Sequence, residues 1–175
     1  MIKKGIKGEI MKNVFLLLAA SFFLMACGGP RYAVVPLEEH GHKQVVEVSG
    51  ADRQLLFDRA SEWIAINYVS GKDVVQEKNL KTGRIIGRGI TTIEVDSGGL
   101  VNTYARYSYS MIIDVKAGRA RIQLGDYTHV DYGTNPQMAL FVRPLNVSMK
   151  ELAADFELYL RTGGAGTVAG SNDEW

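Results

Sequence analysis

The chain has 175 residues, of which 46% are hydrophobic and 22% are charged, and its formal net charge is +1. This length suits a single domain, and the apolar fraction is that of a globular protein, which excludes wholesale disorder. The near-neutral charge argues against a nucleic-acid binder that relies on bulk basicity. The single cysteine excludes an internal disulfide framework and a multi-cysteine metal site.

Residues 1–26 have the pattern of a secretory signal peptide. Four lysines come before an uncharged apolar run, Val14–Ala26, which reads VFLLLAASFFLMA. A basic start followed by a short apolar core is typical of such a leader. The run has about 13 residues, whereas a helix needs roughly 20 to span a bilayer. We therefore expect a cleaved leader and no permanent transmembrane anchor.

The apolar run ends in Leu24, Met25, Ala26 and Cys27. These four residues resemble a bacterial lipobox, in which cleavage before the cysteine leaves Cys27 as a lipid-carrying N-terminus. The alternative is a plain secreted protein with an incidental thiol, but a lone exposed thiol in an oxidising compartment invites unwanted pairing. Several acyl chains, each contributing about 0.8 kcal/mol per buried methylene, would make the attachment of Cys27 to the membrane lasting.

The chain divides into four predicted segments. They are a signal peptide over 1–26, a tether over 27–43, a folded domain over 44–162 and a flexible Gly-rich tail over 163–175. Without the leader, which holds four lysines and one glutamate, 16 basic and 18 acidic residues remain, a net charge of −2. No aspartate or acidic run follows Cys27 directly. By resemblance to bacterial sorting signals, this favours the periplasmic face of the outer membrane.

Alternating apolar and polar residues predict five strands, over residues 44–49, 73–78, 84–95, 103–116 and 119–130. Short turns join the later strands, so neighbours are expected to be antiparallel. One face is expected to be covered and the other wet, with Tyr127 and His129 on the wet face and Val130 on the covered one. Gly87 and Gly89 inside the third strand indicate a bend or a close backbone approach.

Two helices are predicted. The first follows the first strand on an apolar stripe at spacings of three and four, and Ser49 with Asp52 has the spacing of a capping box at its start. The second is predicted to begin at Ser148, which forms a capping box with Glu151, after an irregular loop over 131–147. Two helices on one face of an antiparallel sheet make a two-layer α+β sandwich.

Three stretches of the domain carry a family resemblance: VVEVSG (Val45–Gly50), LLFDRASEWIAINY (Leu55–Tyr68) and KTGRIIGRG (Lys81–Gly89). They resemble a family of bacterial lipoproteins of unknown function with a TATA-binding-protein-like fold, in the order β-α-β-β-β-β-α. The resemblance covers residues 45–129. It implies a fold and an envelope location but no activity, and the fold's likeness to a DNA-binding protein carries no function with it.

The sequence holds few candidates for catalysis or metal binding. His40 and His42 lie in the predicted tether, where two histidines without a third ligand make a weak metal site, and we predict no metal and no cofactor. His129, near Asp126 and Asp131, is the candidate general base, but no nucleophile lies in a recognisable setting. We therefore favour the interpretation of His129 as a polar surface residue. We predict that the protein is not an enzyme.

The outward face of the sheet is the candidate binding surface, since Arg and Tyr are enriched where proteins bind partners. Its predicted members are Arg84, Arg88, Tyr104, Arg106, Arg121 and Tyr127. Such a face suits an envelope protein, a peptide or an anionic glycan, although an ordinary wet sheet face is polar as well. An envelope location excludes chromosomal nucleic acid as a partner.

We therefore expect a non-catalytic binding or assembly module. The alternative is a carrier of a small apolar ligand, because a sheet curved at Gly87 and Gly89 under a C-terminal helix would enclose a cavity, as in helix-grip lipid binders. A cavity of about 300 Å³ or more between sheet and helix would favour the carrier. A filled core would exclude it.

Overall fold

The computed structural model describes residues 33–68, 74–95 and 103–164. Cys27, the predicted leader and all but two residues of the predicted tail lie outside the described residues. The folded domain belongs to a compact unit that begins at Val34. No helix within the described ranges combines the length and the apolar character that a bilayer crossing requires.

Within the described part of the chain, five antiparallel strands form one sheet in the order β1-β5-β4-β3-β2. Their bounds are β1 His42–Glu47, β2 Val75–Asn79, β3 Arg84–Val95, β4 Thr103–Lys116 and β5 Arg119–His129. Helix α1 (Arg53–Asn67) lies between β1 and β2 in the chain, and helix α2 (Ala139–Thr162) follows β5. The predicted α+β fold is confirmed, with the element order β-α-β-β-β-β-α.

Both helices pack on the same face of the sheet, and their apolar side chains form one core with the inward residues of the strands. Alternation along β4 places Ile113 and Val115 in this core, each no more than 1% exposed, as predicted. Between the helices, the Trp63 and Phe156 rings meet edge to face with centroids 5.0 Å apart, a contact worth about 0.5–1.5 kcal/mol beyond its area. The Trp63 indole N–H donates to Asp155 Oδ2 at 2.7 Å, so burial of the ring leaves its polar atom paired.

Asp52, rather than Ser49, caps helix α1. Its Oδ1 accepts a hydrogen bond from the Leu55 backbone N–H at 2.7 Å, which satisfies one of the free donors of the first turn. Ser49 lies in the turn before the helix, where Gly50 has a φ of 80°, outside the right-handed helical region. The predicted capping box is therefore wrong, although the helix is present.

Helix α2 begins well before its predicted start at Ser148. Its first turns include Pro144, which cannot donate to the carbonyl four residues earlier and costs a helix interior about 3 kcal/mol. Val142 and Leu145 on either side are fully buried, and burial of each such side chain contributes about 1.5–3 kcal/mol. Tertiary burial therefore outweighs the proline. The irregular loop predicted over 131–147 ends at residue 138, and Ser148 lies inside the helix instead of capping it.

A β-bulge in β5 reverses the side-chain alternation near the end of the strand. The register between β4 and β5 shifts by one residue between Ser108 and Ser110, so two residues of β5 lie opposite one residue of β4. Asp126 in the bulge has a φ of 52°, a left-handed conformation found at such sites. Beyond it, Tyr127 is 1% exposed and Val130 is 38% exposed. Tyr127 therefore lies on the covered face of the sheet and Val130 on the open side, which is the opposite of the prediction for each residue.

Part of the predicted tether belongs to the folded domain. Strand β1 starts two residues earlier than predicted, and residues 34–41 ahead of it, which we call the N-terminal strap, are held by α2 and the residue before it. Val34 forms a β-bridge with Met138, and the Gly41 backbone N–H donates to Asn146 Oδ1 at 2.8 Å. The strap therefore connects to the domain through specific backbone contacts.

Gly89 in β3 makes room for an aromatic ring. A Cβ at this position would lie 2.4 Å from the ring of Tyr109, the residue opposite it in β4. The Tyr109 hydroxyl shares a 2.5 Å hydrogen bond with that of Tyr68 at the end of α1. Because Gly89 has no side chain, the Tyr109 ring can lie close to β3 and reach Tyr68. This contact connects α1 to the sheet.

Candidate functional site

Three charged side chains line up across the open face, which is the face of the sheet away from the helices. Asp114 in β4 lies directly opposite Arg84 in β3 and Arg121 in β5. The Arg84 Nε–H donates to Asp114 Oδ1 at 2.7 Å, and an Nη2–H of Arg121 donates to Asp114 Oδ2. One carboxylate thus holds two guanidinium groups, each of which retains donors beyond those used here. We call these residues the Asp114 triad.

The members of the Asp114 triad stabilise each other's charged forms. Partial burial alone would raise the pKa of the Asp114 carboxyl, but the hydrogen bonds and charges of Arg84 and Arg121 outweigh it and lower that pKa below its ordinary value. The hydrogen bond to Asp114 raises the pKa of the Arg84 guanidinium in turn. The Asp114 carboxyl is therefore ionised at neutral pH, and one carboxylate between two guanidinium groups leaves the triad with a net positive charge.

The Asp114 triad lies in a concave depression of about 630 Å³, which we call the sheet groove. Residues from all five strands of the described sheet line it, so the groove crosses the sheet. Val45, which is 52% exposed, and Ile86 supply aliphatic surface. Lys116 and Arg119 are exposed basic residues with no hydrogen-bond or ion-pair partner among the described residues. With Glu77, the lining carries four basic and two acidic side chains.

The structure brings together only part of the predicted binding face. Of its six members, two, the arginines of the Asp114 triad, line the sheet groove. Arg88 is exposed further along β3. Tyr104 is 65% exposed, and Arg106 pairs with Asp131 at 3.1 Å. Both lie toward the other end of β4, roughly 27 Å or more from the triad by strand geometry.

Tyr127 does not belong to the open face, and its prediction as a binding residue is wrong. The bulge in β5 turns its side chain into the core, where its hydroxyl donates to Asn146 Oδ1 at 2.9 Å. Burial raises the pKa of the Tyr127 hydroxyl well above its ordinary value. The hydroxyl is therefore protonated across the physiological range and serves as a structural donor.

Several residues of the sheet groove were not predicted as site members, among them Asp114, Lys116 and Arg119. A signal for them exists in the sequence, because the two-residue turn after β4 places Lys116 opposite Arg119. Counting back along both strands then pairs Asp114 with Arg121. The sequence gives no such signal for Arg84, the partner of Asp114 in β3. The connection between β3 and β4 is too long to determine the register of these two strands.

His40 and His42, the predicted weak metal pair, take separate partners. His40 Nε2 lies 3.1 Å from the carbonyl oxygen of Val35, and His42 Nε2 lies 3.3 Å from Gln44 Oε1. No group of three or more His, Cys, Asp or Glu residues suited to a metal ion occurs in the described part of the chain.

His129 lies in an aromatic cluster and not on the wet face as predicted. Its side chain is 14% exposed, because the bulge turns it toward the helix side. Its Nδ1 accepts a hydrogen bond from the Asp131 backbone N–H at 3.2 Å, and its ring contacts those of Tyr107 and Tyr132, with centroids 5.0 and 4.6 Å away. Packing and the loop hydrogen bond account for this histidine.

The interface between the sheet and α2 is filled by large side chains, among them Leu145 and Phe156, which are fully buried. A depression at this interface, lined by Tyr68, Tyr109 and Met149 with their neighbours, has a volume of about 200 Å³. This is below the roughly 300 Å³ expected of a ligand cavity. The described residues therefore do not support a carrier of an apolar ligand.

Fold and site together define a small α+β domain with one covered face and one basic, grooved face. A family model described as a domain of unknown function (DUF4468) with TBP-like fold matches residues 42–129, about half of the chain. The chain belongs to this family, which confirms the resemblance in fold, and no catalytic family is indicated.

Two solved structures have a similar fold. A DUF4468 family protein from Bacteroides ovatus matches with a TM-score of 0.60 and 14% identity, over 73% of this chain and 90% of that one. A TBP-like protein from Parabacteroides distasonis matches with a TM-score of 0.55 and 14% identity, over 74% of this chain and 97% of that one. A comparison with curated proteins finds no match. Likeness at this identity establishes the fold alone.

Proposed function

We propose that this protein is a lipid-anchored, non-catalytic binding or assembly module of the cell envelope, which holds a partner protein on its open face. The observation that carries the proposal is the sheet groove, a concavity of about 630 Å³ that contains the Asp114 triad. Arginine side chains beside aliphatic surface are typical of protein interfaces. Sheet faces that merely meet water need polar side chains but no concavity.

Attachment to the membrane is assigned to lipid on Cys27. Support comes from the sequence, where Cys27 follows an apolar core and a lipobox-like tripeptide and is the only cysteine of the chain. The proposed address is the periplasmic face of the outer membrane. The strap, which follows Cys27 in the sequence, leads into β1.

Site-specific cross-linking tests the binding surface. A photo-reactive amino acid is placed at Gln123, an exposed position of β5 beside the groove, and in a matched control at Ala154, an exposed position of α2. Cells making the full-length chain are irradiated. We expect a discrete cross-linked species from position 123 and none from position 154. Equal products from both positions, or none from either, would refute a partner-binding open face.

Fractionation tests the anchor separately. The Cys27→Ala chain is expected to move from the membrane fraction to the soluble fraction, because several acyl chains at about 0.8 kcal/mol per buried methylene would be lost. Retention of this variant in the membrane fraction would exclude lipid on Cys27 as the anchor.

A further inference from the structure

We infer that the sheet groove binds an extended peptide segment of a partner protein that carries both acidic and aliphatic side chains. This inference rests on the proposed function and specifies its ligand. Three observations support it: unpaired basic side chains, a lining of mixed character, and the length of the groove.

The first observation is a pair of cations that make no ion pair within 4 Å among the described residues, although Glu47 lies opposite Arg119 in the pairing of β1 with β5. Lys116 and Arg119 lie opposite each other at the β4–β5 hairpin, are exposed, and have no hydrogen-bond or ion-pair partner among the described residues. They lie next to the Asp114 triad, whose own charge is positive. A carboxylate that enters the groove therefore meets four basic side chains, and such complementarity steers and orients a partner.

The second observation is that the lining is mixed. Val45 and Ile86 supply aliphatic surface, which a uniformly charged polymer would leave unused. Glu77 and Asp114 would repel a dense polyanion. None of the lining residues found in the described ranges is aromatic, although stacking on aromatic rings is the usual way to hold nucleic-acid bases. A peptide with separate acidic and aliphatic side chains matches this lining better than a polyanion does.

The third observation is length. The groove is lined by all five strands of the described sheet, and outer strands of such a sheet lie about 19 Å apart. An extended peptide of about six residues spans this distance. A segment this short fits a loop or a tail of a partner protein.

Titration calorimetry on the full-length chain tests the inference. The probe is a blocked peptide with three Asp–Val repeats flanked by glycine and serine. Controls are the same peptide with Asn in place of Asp, and an oligo-aspartate of equal length. We expect the Asp–Val peptide to bind at least about tenfold more tightly than either control, with affinity falling as salt is added.

Variants locate the site. Arg119→Glu is expected to weaken binding of the Asp–Val peptide at least about tenfold, whereas Arg143→Glu, at an exposed position of α2, is expected to leave it unchanged. A thermal melt by circular dichroism verifies that both variants are folded. Equal binding of the Asn–Val peptide, tighter binding of oligo-aspartate, or an unaltered affinity in Arg119→Glu would each overturn the inference. A cross-link from position 123 in a chain that binds none of these peptides would leave the proposed function standing and reject only this ligand.

Discussion

Asn146 connects three parts of the domain through one side-chain amide. Its Oδ1 accepts hydrogen bonds from the Gly41 backbone N–H and from the Tyr127 hydroxyl, and its Nδ2 donates to the carbonyl of Glu39 at 2.8 Å. Tyr127 is 1% exposed, so its hydroxyl has little access to water as a substitute partner. Loss of the amide would leave buried polar groups unpaired.

We predict that Asn146→Ala lowers the free energy of unfolding by about 2–4 kcal/mol, since each lost bond contributes roughly 1 kcal/mol and an unpaired buried hydroxyl adds to the cost. Urea denaturation measures this change. The control is Asn135→Ala, which removes one long, exposed hydrogen bond from Thr128 and should change stability by less than about 0.5 kcal/mol. Equal effects in the two variants would show that Asn146 has no special role.

The Asp114 triad makes a prediction about pH. The pKa of Asp114 is lower in the folded chain than in the unfolded one, so its contribution to stability is present above the unfolded pKa and is lost as the pH falls through the folded pKa. Asp114→Asn should therefore be less stable than the parent chain at neutral pH, and the difference should shrink below about pH 4. Urea denaturation across this pH range measures it. A difference that is constant with pH would contradict the ionised triad.

At the scale of the elements, the two helices differ in what stabilises their N-terminal ends. Asp52 caps α1 with a side-chain hydrogen bond, whereas the residue before α2, Met138, makes no such bond. The start of α2 is instead held by burial of its first turns, including Val142. Burial can replace a cap because fixing apolar side chains against the core stabilises the same backbone geometry.

This difference predicts unequal effects of two substitutions, one in each of the two predicted capping boxes. Asp52→Ala should cost about 0.5–2 kcal/mol because a free donor of the first turn loses its acceptor. Ser148→Ala, in the middle of α2, should change stability by less than about 0.5 kcal/mol. Thermal unfolding followed by circular dichroism compares the two. A larger loss in the Ser148 variant would place the start of α2 at that residue after all.

The strands show where local pattern suffices and where it fails. Alternation along β4 assigned its faces correctly, because the strand pairs regularly along its buried part. The same reasoning failed in β5 after Asp126, since one extra residue in a strand reverses every later side chain. Gly125 inside the strand is compatible with a bulge, but neither it nor Asp126 shows that an extra residue is present. The faces of Tyr127 and His129 were therefore decided by pairing with β4.

At the scale of the whole molecule, the domain includes the N-terminal strap. The strap is held by the Val35 backbone N–H, which donates to the carbonyl of Gln137 at 2.8 Å, and by its bonds to Asn146. β1 then forms the edge of the sheet against β5. Contacts between residues about 100 positions apart thus close the fold, and only the folded chain brings them together.

A chain that starts at residue 42 is accordingly predicted to be less stable than one that starts at residue 34, by at least about 2 kcal/mol, because several hydrogen bonds of roughly 1 kcal/mol are lost. Denaturation midpoints of the two chains measure the difference. The control is Leu37→Ser in the longer chain, since Leu37 is 71% exposed and should contribute little. Equal stability of the two chains would show that the strap does not stabilise the domain and is a free tether, as the sequence predicted.

The sequence by itself determined the types and order of the elements, the α+β class, the inward face of β4 and the opposition of Asp114 to Arg121, because short-range periodicity and tight turns govern these features. The tertiary structure decided the start of α2, the face of Tyr127, the addition of Arg84 to the Asp114 triad and the docking of the strap. These features depend on burial and register between distant segments, which can outweigh a proline, a capping box or an alternating pattern. The net charge of +1 likewise belongs to the predicted leader, because the chain beyond it is mildly acidic. Four basic side chains of the open face nevertheless lie together in the sheet groove.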